Sequence, residues 1–251
     1  MADTFPFYFP ADARRLYSHE SVLRRIAKVA RWAENARILE LFASHAGHVL
    51  ARDIGAQVLA LDSDAKVLEQ LTAKAKSHGL LGRYATKVTS WERVDAPEGT
   101  FDGIILLGRV AMPLAAAAAQ LRKYLAPKGR LALTYPVKVG RAPVGPSLDF
   151  WEGRLGEPLR IPRDAMMTLE AAGFEPESSE TLADTDLDDY YRDLEAVVAR
   201  LPKGREADVA KLKEEIDVHR NRGGRVHVST ALFVARRKEP GEKPPATRDR
   251  G

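Results

Sequence analysis

The chain of 251 residues contains no cysteine. That absence excludes disulfide scaffolds, thiolate metal sites, cysteine nucleophiles and CxxC redox chemistry together, and it suits a reducing compartment. No apolar run reaches the roughly 20 residues that a membrane-spanning helix needs. The opening stretch "MADTFPFYFPADARR" lacks the charged-then-apolar order of a secretory leader. A cytoplasmic protein without membrane contact is the expectation. Concentrated charge is also scarce. From Arg236 onwards six basic residues face three acidic ones, so about +3 of the formal +4 lies in the tail and the body is close to neutral. The body therefore offers no basic patch for nucleic acid. No metal is expected, because His219 and His227 stand without ligands at suitable spacing.

What is present is a core-forming chain, 45% hydrophobic, with alternating short strands and helices. Val22, Leu23, Ile26, Val29, Ala30 and Ala33 recur at helical spacing and predict an amphipathic helix over about 19–33. "RILEL" (37–41) and "QVLALD" (57–62) read as buried strands around a short helix at about 48–54, and "DAKVLEQLTAKAKSHG" as a helix closed by Gly79. "YATKVTS" is a weaker strand. "FDGIILLG" (101–108) is a continuous apolar run of the kind that lies in the middle of a parallel sheet. An alanine-rich helix over 112–125 and a proline-glycine turn lead into the strand in "LAPKGRLALTYPV". Residues 140–162, rich in glycine and proline, read as loop. A helix in "PRDAMMTLEAAGF", a strand in "FEPESSETL", cap helices over about 186–220 and a last strand in "RVHVSTALFVARRK" follow. Strands alternating with helices imply a parallel sheet covered on both faces. The division expected is an N-terminal flap and helix (1–36), one α/β domain (37–238) and a disordered tail (239–251).

The order of these stretches resembles the class I S-adenosylmethionine-dependent methyltransferases over roughly residues 20–238. "RILEL" then "GAQVLALD", "APEGTFDGIILLGRV", "LRKYLAPKGRLALTYP", and "LEAAGFEPESSETL" with a terminal "ALFVARRK" stand in the family's sequence order. A dinucleotide-binding domain matches the first half as well, but it does not usually end in an "AAGF" strand and a closing "FVARR" strand. The resemblance implies a Rossmann-like, doubly wound, seven-stranded, mostly parallel sheet in the order 3-2-1-4-5-7-6, with an antiparallel last strand. It also implies S-adenosylmethionine as cofactor and methyl transfer to a small-molecule acceptor, in a monomer or homodimer. Nucleic-acid acceptors are disfavoured, since "LLGRVAMP" lacks the double-proline stretch that base-amine methyltransferases carry after strand four.

Ligands in such sheets bind at the carboxyl ends of the strands where the topology reverses. Asp62, with Ser63 beside it, ends strand two, where a carboxylate can accept both ribose hydroxyls; a helix cap at Asp62 or Asp64 is the plainer alternative. Ser90 and Trp91 end strand three, Ser90 as a weak neutral partner for adenine and Trp91 as a stacking surface or a packing residue. Leu107 and Gly108 end strand four beside donor and acceptor. Arg109 reads as a partner for an anionic acceptor or as a solvated arginine. Tyr17, Tyr135 and Arg141 are the acceptor-side candidates, and His19 is the candidate base. Tyr190, Tyr191 and His219 belong to the cap helices, where packing is the plainer reading of the two tyrosines.

The loop after strand one departs from the family. Glu40 and Leu41 keep the pattern, but its glycines are replaced by Phe42, Ser44 and Ala46, with Ala43, His45 and Gly47 completing the loop. A glycine motif lets a ligand touch main-chain amides and lets the chain turn with positive φ. Two readings follow. In one, the small residues still form the turn, and the amides opening the next helix face the donor's carboxylate. In the other, Phe42 fills the cleft and the protein is a non-catalytic relative, a binding or scaffold protein.

Overall fold

A computed structural model describes residues 20–90, 93–108, 112–140, 145–201, 204, 206–239, 241 and 242. Alternation of side chains along buried strands sets the architecture. In β1 (Arg37–Leu41) and β4 (Phe101–Leu106), Leu39, Leu41, Ile104 and Leu106 enter one core while Ile38 and Ile105 enter another. With β2 (Gln57–Asp62), β3 (Tyr84–Val88), β5 (Leu125–Lys138), β6 (Phe174–Thr181) and β7 (Val228–Arg237) they form one sheet in the order β3-β2-β1-β4-β5-β7-β6. The first five strands pair in parallel, and β7 runs antiparallel to both β5 and β6. The doubly wound sheet and the antiparallel last strand expected from the sequence are both present.

One face is covered by α1 (Glu20–Val29), α2 (Ala46–Asp53) and α3 (Ala65–Ser77), through Leu23, Ile26, Val49, Leu50, Leu68 and Leu71. The other is covered by α4 (Leu114–Arg122), α5 (Pro146–Leu155) and α6 (Pro162–Ala171), through Leu114, Leu121, Leu148, Trp151 and Leu169. Helix α5 corrects the loop expected over 140–162. Pro146 stands at its first turn and Gly156, at φ 69°, closes it. These residues punctuate a helix rather than forbid one. Strand β5 also begins earlier than expected: Leu125 pairs with Phe101 before the chain bulges out and rejoins at Arg130 opposite Gly103.

Between β6 and β7 stand α7 (Asp184–Val198), α8 (Glu206–Asn221) and the helical turn α9 (Gly224–His227). Tyr190, Tyr191, Leu194 and Val197 of α7 pack with Leu212 of α8 in a cluster of their own. His219 stacks on Tyr191 with ring centroids 3.7 Å apart. The two tyrosines are thus packing residues within the cap. Buried Glu215 pairs with Arg154 of α5 at 3.1 Å and ties the cap to the body. The tail turns back at its start: Glu242 pairs with Arg236 at 2.6 Å, while residues 243–251 lie outside the described residues. Among the described residues no helix is long and apolar enough to cross a membrane.

Trp32, after α1, locks this layer to the sheet by lying over Gly103. A Cβ on Gly103 would stand 2.4 Å from Trp32 Cε2 and 2.6 Å from Ile38 Cδ1. Gly103→Ala is expected to lower the unfolding free energy by about 1–3 kcal/mol through overpacking, measured by urea denaturation. An unchanged urea midpoint would refute this account of the contact.

Candidate cofactor-binding site at the carboxyl edge of the sheet

The strand order reverses between β1 and β4, so their carboxyl ends flank a crevice. The chain leaves β1 at Leu41 and enters α2 at Ala46. The carboxylate of Glu40, only 2% exposed, holds this turn from below. Its Oε1 accepts from the Ser44 amide at 3.0 Å and from the Ser44 hydroxyl at 2.8 Å. Ser44 Oγ in turn accepts from the Ala46 amide, opening α2, at 3.1 Å. The buried Ala43 amide donates to Leu61 O at 3.2 Å. Gly47 faces the interior: a Cβ there would meet Glu40 Oε2 at 2.3 Å, Tyr84 Cε2 at 2.7 Å and Val58 Cγ1 at 2.9 Å. Its role is close packing of helix on sheet. Glu40, Ala43, Ser44 and Gly47 therefore shape the loop from inside.

Phe42 carries the turn itself, with φ 56°. That left-handed conformation costs a residue with a Cβ roughly 1–2 kcal/mol, so the backbone keeps a glycine's course without a glycine. The partly buried Phe42 side chain packs on the core and reaches across the crevice. A Cβ on Gly108 would lie 3.9 Å from Phe42 Cδ2. Gly108 is held by Thr134, whose buried hydroxyl accepts from the Gly108 amide at 3.0 Å and donates to Gly108 O at 3.0 Å. Sequence reasoning missed Thr134; the one polar residue inside the apolar run "LALTYP" was the available signal. Leu107 packs against Leu182 and Leu187, which brings the start of α7 over the end of β4.

Asp62 ends β2 with 5% exposure, and its Oδ1 accepts from the Asp64 amide at 2.8 Å. Capping of α3 falls to Asp64, which accepts from the Lys66 amide at 2.9 Å. Ser63 is exposed beside it, and Ser90 is partly buried beyond β3, where the Thr89 amide donates to Asp62 O at 2.9 Å. The structure thus gathers Phe42, Asp62, Ser63, Ser90, Leu107 and Gly108 at the carboxyl edge. For an adenosyl donor, the left-handed turn, the α2 N-terminus and the strand-end carboxylate fit. Phe42, Ser44 and Ala46 stand where glycines were expected, and of the three the benzyl group of Phe42 is the bulkiest.

On the acceptor side, Tyr135 is a buried residue of β5. It is 3% exposed, and its hydroxyl lies 2.8 Å from both Met112 O and Glu157 Oε1. Glu157 Oε1 also accepts from the Leu114 amide at 2.8 Å, so the pair anchors the start of α4. Burial, and then the Glu157 carboxylate, push the Tyr135 phenol well above its ordinary range. Tyr17, His19, Trp91, Arg109 and Arg141 lie outside the described residues.

The sequence reading also passed over His48, on the inner face of α2. It is 1% exposed, with its ring 4.3 Å from that of Tyr84. Burial first, and then the neighbouring His45, lower its pKa from 6.5 to about 4. As pH falls below 6.5 the unfolded chain takes up this proton before the folded one does. Stability present at neutral pH is therefore lost between pH 6.5 and about 4, by up to about 3 kcal/mol. His48→Phe is expected to flatten the pH dependence of the urea midpoint across that window. Equal slopes in both proteins would exclude His48 as its source.

No family model matches the chain, and no curated protein matches its sequence. Solved structures do. An S-adenosylmethionine-dependent methyltransferase from Thiobacillus denitrificans, in complex with S-adenosyl-L-homocysteine, aligns with a TM-score of 0.70 at 15% identity, covering 90% of this chain and 97% of that one. The 4+2 cyclase SpnF aligns at 0.68 and 17% identity, covering 87% and 80%. Geranyl diphosphate C-methyltransferase from Streptomyces coelicolor, in complex with Mg2+, geranyl diphosphate and S-adenosyl-L-homocysteine, aligns at 0.59 and 11% identity, covering 86% and 78%. With its seven-stranded sheet in the order β3-β2-β1-β4-β5-β7-β6 and alignment over most of the chain, this protein has the class I S-adenosylmethionine-dependent methyltransferase fold.

Proposed function

We propose that the protein is an S-adenosylmethionine-dependent methyltransferase acting on a small-molecule acceptor. The observation that carries this reading is the strand-end carboxylate of Asp62 beside a β1–α2 turn that keeps its left-handed step at Phe42. A fold that needed only a stable turn would relieve that strain with glycine or asparagine. Bound at this edge, the donor supplies a methyl group already activated by its sulfonium charge. The residues then have three tasks: to hold the adenosyl group, to align the acceptor and to exclude water. Asp62 is assigned the ribose hydroxyls, and the opening of α2 the donor's carboxylate. Ser63 and Ser90 line the adenosine side; Phe42, Leu107 and Gly108 line the reacting side. Leu182 and Leu187 over Leu107 supply apolar cover, which suits a small acceptor, as does the nearly neutral body. A base is required only where the acceptor holds its proton; His19 is the candidate, with Tyr17, Arg109 and Arg141 as acceptor contacts.

A second reading, a non-catalytic binding protein, draws on the Phe42 side chain lying across the crevice toward Gly108. One structural neighbour bears the name of a cyclase, a reminder that a shared fold does not fix a reaction. Calorimetry with S-adenosylhomocysteine separates the two. Micromolar binding is expected for the unmodified protein, weakened at least tenfold, about 1.4 kcal/mol, in Asp62→Ala. A melting curve of the variant checks its fold. No heat of binding and no ligand-induced rise in melting temperature at millimolar ligand would sink the donor reading.

A further inference from the structure

We propose a second ligand site, at the amino edge of the sheet, that takes a small molecule bearing a phosphate or carboxylate group. It stands independently of the donor reading, because it lies at the opposite ends of the strands. Residues leading into β1, the start of β4 and the bulge of β5 enclose a cleft of about 420 Å³ there, a volume typical of small-molecule sites. Trp32 and Pro127 supply apolar lining, and Asn35 an amide. Arg31 and Lys128 bring the positive charge.

Charge decides the class of ligand. The acids of the lining are engaged by arginines outside it: Glu34 pairs with Arg83 at 3.2 Å, and Asp102 accepts from the Arg37 amide at 2.8 Å with the Arg37 Nε 3.7 Å away. Arg130, also in the lining, is held by Glu177 at 2.9 Å. Glu239 accepts from the Lys128 amide at 3.1 Å, and Glu242, whose carboxyl feels the Lys128 charge, is engaged by Arg236. The side chains of Arg31 and Lys128 make no hydrogen bond or ion pair among the described residues. Two cations without a carboxylate partner therefore line one cleft, and an oxyanion is the group they would bind. The backbone gives an independent sign that these side chains are kept for their own sake. Arg31, at φ 53°, closes α1: its amide donates to Lys28 O at 3.2 Å and the Trp32 amide to Ala27 O at 3.0 Å, a helix ending in which glycine is usual. Lys128 follows Pro127 at φ 59°, again where glycine would be unstrained. Both cations occupy left-handed positions, and such strain gathers at ligand sites.

Amide NMR titration with inorganic phosphate and, separately, with succinate provides the test, each against sodium chloride at equal ionic strength. The proteins are the unmodified chain, Arg31→Gly and Lys128→Gly. Glycine accepts the left-handed angle at both positions, so these variants should melt no lower than the unmodified protein. Saturable shifts centred on the amides of residues 30–36, 102 and 128–130 are expected, with affinity falling about fivefold or more in each variant. Arg31→Gln and Lys128→Gln, which remove the charge but keep a side chain, should weaken binding likewise. A response to phosphate alone assigns a phosphate-bearing ligand, and a response to succinate alone a carboxylate-bearing one. No saturable shift at these amides with either anion, a shift that chloride reproduces, or equal affinity in all the proteins overturns the site. Any of these failures leaves the donor reading untouched, since no adenosyl ligand enters the titration.

Discussion

The carboxylate of Glu40 points away from solvent, and its Oε1 accepts from the amide and hydroxyl of Ser44 in the turn that leaves β1. The rest of the carboxyl edge depends on this clamp. A buried charge without hydrogen bonds is severely destabilising, so Glu40 and the turn specify each other. The turn gives the carboxylate its donors, and the carboxylate holds the turn in a shape that glycines would otherwise secure. Ser44 extends the arrangement by receiving the first amide of α2. Gly47 completes it, because only a residue without a side chain allows the helix to lie directly on Glu40, Tyr84 and Val58.

A second polar fastening acts across the crevice. The Thr134 hydroxyl holds the amide and carbonyl of Gly108 and sets where β4 ends. Leu107 can then meet Leu182 and Leu187, while Gly108 leaves room for the ring of Phe42. The two fastenings, one under β1 and one beside β4, keep the walls of the crevice fixed from within the core. Glu40 and Thr134 position the edge without facing it.

Much of the fold was legible in the sequence. The apolar runs "RILEL", "QVLALD" and "FDGIILLG" and the helical spacing in "DAKVLEQLTAKAKSHG" are local patterns, and local patterns report strands and helices well. Helix α5 was not legible because Pro146 and Gly156 were weighed as composition rather than by position. The places of Asp62 and Gly108 at strand ends were legible from the apolar runs before them. The position of Tyr135 in its strand does not tell which face its side chain takes. That face leads to Glu157 and the start of α4. Thr134 and His48 were passed over because a threonine in a strand or a histidine on a helix looks ordinary until its neighbours are known.

The point where the topology reverses was implied by the family resemblance, while by itself the sequence determined the kind and order of the elements and the lack of a glycine-rich turn. These follow from periodicity, from turn residues and from composition, all of which act between near neighbours along the chain. Only the tertiary structure decided that Glu40 turns inward to Ser44, that Gly47 serves packing and that Phe42 reaches Gly108. Those outcomes depend on which side chains the closed sheet brings within a few ångströms of one another. Phe42 and Gly108, and Gly47 and Tyr84, lie far apart in the chain; Glu40 and Ser44 lie only four residues apart, but the sheet around them sets which way the carboxylate turns.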